Sequence, residues 1–523
     1  MEVEIEQHGA ETYAIPEPNF DANPFGPATV DDDAGGGGDG APGEAEDAWA
    51  ALLSACAALR GLRGLSLGAR NLAPVQADGL PALSALTRLE VRPSEWCSWD
   101  GDRSSSEAEF VPARLDGLWA ATQLRRLALV GARRGATHRL ALSAADAACA
   151  ARLARLEELR VERFEIECDG DPRLGALAAA PGLRRLALRH GMLYRTCDAA
   201  LGGLSALTAL ARLDLSYLRV ESLSGAAPFL ELRALRSLPA LSDLDLTGSS
   251  FLTDAGMSFL ASCAPRALRR LGAGGGDRHA AAAARHLAPA PGAGVTDEGL
   301  AALAGLSQLT SLDVSWNPGV TWSGVAALGP LRGLRELDLG NCSLFGARDP
   351  GDHGALGDRG AGQERCRAAA LALAGLTRLG RLSLAWTAGS GGAPARAGDA
   401  GAESRATLRA LAGAGALRHL DVTGLLGERG PWGEGGDALR RWRDAVAGGA
   451  WPGLRALVTG RVGPGGAGPG PPAPWGGLSP AAPCPLHAPR DGDGRGGYAS
   501  LGPSDAGCES TCVWTLDGQP PPR

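Results

Sequence analysis

One spacing of apolar residues recurs along the chain: apolar-x-x-apolar-x-apolar. It opens at Leu62, Leu86, Leu124, Leu156, Leu183, Leu210, Leu241, Leu268, Leu309, Leu334, Leu379, Leu417 and Leu454. Its L-x-L half has period 2, which predicts a short strand with its leucines on one face. The residues after the strand have helical spacing. In VTDEGLAALAGLSQL (295–309), Thr296 is placed to N-cap, and Asp297 and Glu298 suit the positive end of a helix. Leu300, Leu303 and Leu306 then share one helix face. One strand and one helix cannot bury their own apolar faces, whereas stacked units can. The pattern therefore predicts an α/β solenoid, with a parallel sheet lining the inside of a horseshoe and helices outside.

Five of the twelve intervals between openings span 24–27 residues, inside the period of about 20–29 that marks a leucine-rich repeat. The longer intervals hold segments that read as loop insertions: 96–110, 272–294, 345–366 and 387–406. LTSLDVSWN (309–317) matches LxxLxLxxN in full, and LRELDLGNC (334–342) matches the variant ending in Cys. FLTDAGMSFLASCAP (251–265) and GVTDEGLAAL (294–303) complete the set. On these motifs the chain resembles leucine-rich-repeat proteins of the cysteine-containing, ribonuclease-inhibitor-like subtype found in plant-type and F-box-associated proteins. The resemblance covers roughly 48–460 and is most specific over 241–345. It departs from the consensus at Ala273, the third apolar position of its repeat, and at Ala132, Gly191 and Thr387, which stand where Asn or Cys is usual. Those last positions are expected to leave buried backbone groups without a side-chain partner.

Composition sets the ends apart. The chain has 523 residues, 51 basic and 58 acidic, for a net charge of −7. Residues 1–47 hold 13 of the acidic residues and no basic one, so the remainder carries +6. The domain reading is an acidic disordered tail (1–47), a repeat domain of about 13 repeats (48–460) and a Pro/Gly-rich disordered tail (461–523). Every basic residue is Arg, which excludes a P-loop Lys or a Schiff-base Lys. No apolar run reaches the roughly 18 residues of a membrane span. The acidic start lacks a signal peptide's pattern. The eleven cysteines are odd in number and scattered, and Cys56, Cys149 and Cys263 fall at small apolar positions. These features suit free thiols in a reducing compartment. A cytoplasmic, monomeric protein with no membrane or nucleic-acid partner and no cofactor is the expectation. The resemblance leaves a cytoskeletal or axonemal address open, and a nuclear one too.

In the family the inner, concave face is the usual binding surface, at the positions between the leucines. Here these are Arg88, Arg126, Arg160, Arg185 and Arg212 in the N-terminal half, with Arg92, Arg189, Glu90, Glu158 and Glu162 among them. The C-terminal half offers Asp214, Asp245, Asp313, Asp338 and Asp421. One reading is a bipolar face for a partner of complementary charge. The other is that Asp belongs to the repeat consensus, on a solvated face where paired carboxylates meet no desolvation. Tyr217, Trp316 and Trp386 follow their strands directly, as partner anchors or as caps on the core edge. Cys484, His487, Cys508 and Cys512 have the residue types of a zinc site, but little apolar sequence supports them, and no metal is expected. GPGGAG (463–468) spells a dinucleotide motif without a following helix, and no hydrolase or metalloprotease signature occurs. The chain reads as a non-enzymatic scaffold that binds unidentified protein partners. The alternatives are the substrate-recognition subunit of an SCF-type ubiquitin ligase, although no F-box is visible, and a regulator whose acidic tail folds onto the Arg-rich half.

Overall fold

The computed structural model describes residues 2–8, 11–12, 55–56, 58–59, 61–69, 80, 82–93, 121–131, 138–141, 153–168, 180, 182–195, 201–222, 228–275, 294–344, 371–385, 387, 411, 415–422, 454, 456–458, 479–480 and 513–515. The chain forms two compact units, Met1–Asp243 and Leu244–Arg523. Each is a stretch of α/β leucine-rich-repeat solenoid, and all thirteen repeat-opening leucines are buried, none more than 3% exposed. Most of the two tails and of the insertions lies outside the described residues.

The first unit contains β1 (Glu2–His8), β2 (Glu11–Thr12), β3 (Gly64–Ala69), β4 (Arg88–Pro93), β5 (Arg126–Val130), β6 (His138–Ala141), β7 (Glu158–Glu162), β8 (Phe164–Cys168), β9 (Arg185–Arg189), β10 (Met192–Arg195), β11 (Arg212–Asp214) and β12 (Arg219–Ser222). Strands β1-β3-β4-β5-β7-β9-β11 pair in parallel in that order. Leu65, Leu89, Leu127, Leu159, Leu186 and Leu213 occupy one register row, each at most 2% exposed. Beside this sheet the unit carries a second parallel sheet, β6-β8-β10-β12, before the chain reaches the 3-10 helices Gly202–Ala206 and Pro228–Ser237 that follow β10 and β12. Alternating sequences such as FEIEC favour extended backbone there.

A sharp corner joins the two sheets. Arg163, His190 and Tyr217 turn it with φ of 59°, 51° and 56°, a region that costs an L-residue about 1–2 kcal/mol. The N–H groups of Gly131, Arg163 and His190 donate to the carbonyls of Glu162, Arg189 and Ser216 at 2.7, 2.9 and 3.0 Å. At Gly191, where the consensus side chain is missing, the carbonyl accepts from the Arg219 N–H at 3.0 Å, so this corner is tied through backbone. Only glycine fits at 191, because a Cβ there would lie 2.7 Å from the Phe164 carbonyl oxygen. Ala132 lies outside the described residues.

The division between units falls in β13 (Asp243–Asp245). The second unit continues with β14 (Arg270–Gly272), β15 (Ser311–Asp313), β16 (Glu336–Asp338), β17 (Arg381–Ser383), β18 (His419–Asp421), β19 (Ala456–Val458), β20 (Ser479–Pro480) and β21 (Val513–Thr515). Strands β14 to β19 are parallel in chain order, and β21 pairs antiparallel with β19 and β20. Here helices follow the strands: α1 (Asp254–Cys263), α2 (Asp297–Leu303) and α3 (Trp322–Ala327). Asn317 is fully buried. Its Nδ2 donates to the carbonyls of Ala273 (2.8 Å) and Val314 (2.9 Å), and its Oδ1 accepts from the Val295 N–H (2.9 Å). At the neighbouring turns, Cys342 Sγ donates to the Val314 carbonyl and Thr387 Oγ1 to the Leu384 carbonyl. Thr387 therefore supplies the bond that its departure from the consensus was expected to forfeit. The Gly/Ala stretch read as an insertion from 272 starts later: Gly272 lies in β14, Ala273 is fully buried, and Gly275 N–H donates to the Ser315 carbonyl at 2.7 Å.

The helices are coupled through their first turns. Thr253, Thr296 and Thr321 are the N-caps, accepting from Gly256, Glu298 and Ser323 N–H groups. The Asp254 carboxylate accepts from Thr296 N–H (2.8 Å), Thr296 Oγ1 (2.8 Å) and Gly299 N–H (3.0 Å) of the next repeat. Asp297 repeats this with Thr321 N–H (2.7 Å) and Oγ1 (2.6 Å). A Cβ at Gly299 or Gly324 would lie 2.4 Å from the Oδ1 of Asp254 or Asp297. Asp254→Ala should destabilise the second unit by about 2–4 kcal/mol, since it strands three donors. Gly299→Ala should also destabilise, but the double variant should cost less than the sum, because the clash and the bonds share one carboxylate. Urea unfolding with hydrogen exchange at 254–303 reads this; strict additivity would refute the ladder.

Candidate functional site

In a parallel sheet of period 2, the residues between buried leucines share the opposite face and align in rows. In the first unit the first row runs Gly64, Arg88, Arg126, Glu158, Arg185, Arg212. The second runs Ser66, Glu90, Ala128, Arg160, Ala187, Asp214, and the third pairs Val130, Glu162 and Arg189. The rows behave differently.

The first row is exposed. The side chains of Arg126, Arg185 and Arg212 are 57%, 60% and 48% accessible, and Arg88 is exposed as well. Arg126 and Arg185 both reach Glu158 Oε2, at 3.7 and 3.4 Å, and Arg212 lies 3.9 Å from Asp243. One carboxylate between two guanidiniums leaves the row positive, and exposed pairs of this kind contribute little to stability.

The second and third rows form a closed network. Arg160 Nε donates to Glu162 Oε1 at 2.8 Å, and Arg189 lies 3.5 Å from the same oxygen. Arg189 also donates to Asp214 Oδ2 through Nε at 2.7 Å and through Nη2. Asp214 Oδ1 accepts from Ser216 N–H (3.1 Å) and Oγ (2.7 Å). Glu162 is 5% exposed and Asp214 only 1%. Burial pushes both carboxyls up, but hydrogen bonds and charge from Arg160 and Arg189, with Ser216 at Asp214, outweigh it and hold both below the ordinary range. The same bond to Glu162 raises Arg160. Asp214 thus lies within the protein's own packing, although LDLS at 213–216 is indistinguishable in sequence from the more accessible repeats.

In the second unit Asp313 and Asp338 are register partners in adjacent strands, and Asp421 aligns with Ser383. Each of Asp245, Asp313 and Asp338 accepts at Oδ1 from the N–H two residues on, of Thr247, Ser315 and Gly340, at 2.9–3.0 Å. This Asx turn ends the strand and accounts for the recurrent L-D-L. The row is less solvated than the sequence suggested. Burial, then the neighbouring Asp313 charge, pushes the Asp338 carboxyl up despite its bonds from Gly340 and Ser383. His419 is lowered by burial and by Arg381.

The aromatic positions fall at corners. Tyr217 and Trp316 are half-buried with positive φ. Tyr217 stacks on His190 of the preceding repeat, with centroids 4.5 Å apart and planes 9° from parallel, and burial lowers the pKa of His190. Nothing in the spacing announced that pair. Trp386 lies outside the described residues, as do Cys484, His487, Cys508 and Cys512. Cys56, Cys263 and Cys342 are buried free thiols, and burial pushes Cys342 up to about 12.

No protein-family model matches the chain, and none of the curated proteins does. Among solved structures it is similar to an internalin from Listeria monocytogenes str. 4b F2365 at TM-score 0.35 and 16% identity, over 66% of this chain and 76% of that one. A TDR receptor gives TM-score 0.35 and 16% identity over 69% of this chain and 46% of the receptor chain. Internalin C2 of the same Listeria strain gives 0.24 and 18%, over 42% and 65%.

Two expectations arise from the charges. The folded-state pKa of Asp214 lies below its unfolded value, so its stabilisation is complete above about pH 5 and is lost as pH falls through the depressed value. Asp214→Ala should cost about 2–4 kcal/mol at pH 7, less than a fully buried pair because Arg189 is one-third exposed. The gap to wild type in urea unfolding should close towards pH 2; a gap constant with pH would disprove the ion-pair account. Asp338 has the opposite sign: its raised pKa means that ionisation opposes folding. Asp338→Asn should raise stability at pH 7 by about 0.2–1 kcal/mol, the scale of one cross-strand pair, and leave it unchanged at pH 3. A loss at pH 7 would show that the charge is needed.

Proposed function

We propose that the chain is a non-catalytic protein–protein interaction scaffold, and that the first register row of its N-terminal unit receives an acidic segment of a partner protein. One observation carries this: Arg88, Arg126, Arg185 and Arg212 stand in one exposed row, in which Glu158 is the interposed carboxylate and Asp243 lies 3.9 Å from Arg212 at its end. Guanidiniums spaced by the strand separation present bidentate donors to carboxylates along an extended chain. The second and third rows keep their charges for each other, and the Asp residues of the second unit are engaged first in strand-ending turns. The buried free thiols suit a reducing compartment such as the cytoplasm.

The test uses Arg126→Glu/Arg185→Glu/Arg212→Glu in the full chain, with a polyglutamate peptide as probe. Wild type should bind it with an affinity that falls as salt rises, and the triple variant should bind at least tenfold more weakly. Affinity capture from cells should retain proteins on wild type that the variant releases. Equal affinity for polyglutamate, or the same captured set on both proteins, would sink the assignment.

A further inference from the structure

The first strand of the first unit is not supplied by a repeat. Residues Glu2–Glu6 pair in parallel with Gly64–Gly68, in the register Glu2↔Gly64, Val3↔Leu65, Glu4↔Ser66, Ile5↔Leu67 and Glu6↔Gly68. Fifty-five residues lie between His8 and Gly64, so no tight turn imposes the pairing. The sequence EVEIE alternates with the period of a half-buried strand. Val3 and Ile5 take the register positions of Leu65 and Leu67, which are 2% and 0% exposed. The three glutamates take those of Gly64, Ser66 and Gly68, which continue into Arg88, Glu90 and Arg92. β1 therefore satisfies the in–out rule of the sheet without belonging to its repeat.

Two features mark it as an added strand. β2 covers β1 for two residues only, Gln7↔Thr12 and His8↔Glu11; among the described residues, Glu2–Glu6 is paired on the β3 side alone. Ser66 Oγ, at the register position of Glu4, is shut off from solvent and makes no hydrogen bond among the described residues. A strand paired on one side alone over Glu2–Glu6, opposite a hydroxyl without a partner among the described residues, is an imperfect occupant of its edge.

We propose that the edge of β3 is a strand-acceptor site for an extended partner segment that alternates acidic and β-branched residues, and that residues 2–8 are its intramolecular occupant, displaced when such a segment adds in parallel. Main-chain bonds to Gly64–Ala69 give the affinity, and the alternation against Leu65 and Leu67 gives the specificity. The intramolecular strand has the advantage of effective concentration, so a competitor must exceed it in local concentration or in fit to Ser66. The proposal stands on the β3 edge and does not depend on the arginine row.

The probe is a fluorescent peptide of residues 1–13, titrated into the full chain. Of two consecutive strand residues, one directs its N–H toward β3, so Glu4→Pro/Ile5→Pro removes a bond to the edge whichever residue it is. The variant should bind the peptide at least tenfold more tightly than wild type, and a Val3→Glu/Ile5→Glu peptide should bind neither. Equal binding to both proteins, binding to neither, or equal binding of the two peptides would overturn the proposal. Hydrogen exchange on unaltered full chain decides independently of how the variant folds. The amides of 2–8 that face β3 should be protected alone and lose protection in excess peptide, while 64–69 stay protected. The β3-facing amides of 2–8 unprotected from the start, or unmoved by peptide, would overturn it as well.

Discussion

The organising constraint is the leucine register. A leucine sits at the same position of each successive strand and is sealed from water, as Leu65, Leu89, Leu127, Leu159, Leu186 and Leu213 show. A slip of one residue would turn every leucine outward. With the register fixed, the residues between leucines must align in rows on the other face, whatever their chemistry. The arginine row, the closed Arg–Glu–Asp network and the Asp turns are three consequences of that alignment.

The two units meet one shared problem differently. After each strand the chain must turn sharply and satisfy the peptide groups it buries. The second unit uses side chains: Asn317, Cys342 and Thr387 bond the carbonyls at its turns, and Asp254 and Asp297 join successive helices. Corner amides bond the next coil in both units, from Gly131, Arg163 and His190 in the first and from Gly275, Trp316 and Asn341 in the second; the first unit adds a second sheet beside the first where the second adds side chains. Side-chain solutions leave a sequence mark, and backbone solutions leave very little. That explains why the resemblance to the repeat consensus is strongest at 241–345 and weak before it.

The same difference sets what was legible beforehand. The leucine spacing gave every buried opening leucine and the Thr296 cap. The Asp254–Thr296 and Asp297–Thr321 couplings were written in the recurring Thr-Asp-x-Gly, but each contact crosses to another repeat and cannot be seen in one. The second sheet was signalled only by short alternations such as FEIEC. EVEIE was masked by the acidic composition around it. Asp214 and Asp313 occupy the same motif, yet only Asp214 is sealed off, because Arg189 and Glu162 come from other strands. Side-chain identity within a repeat foretold position well; the state of each charge depended on neighbours one and two repeats away.

The carboxylate ladder also sets how disorder would travel. Asp254 ties α1 to α2 and Asp297 ties α2 to α3, but Trp322 occupies the ladder position in α3, where a third aspartate would stand. In a one-dimensional array, cooperativity is the sum of nearest-neighbour couplings, and a weakened coupling marks where one cooperative block ends. The helices from Asp254 to Ala327 are therefore expected to open as one block, with the weakened coupling after α3, where Trp322 stands in place of a ladder aspartate. A pull or a thermal opening that starts beyond α3 meets no carboxylate bridge from position 322 by which to cross into it.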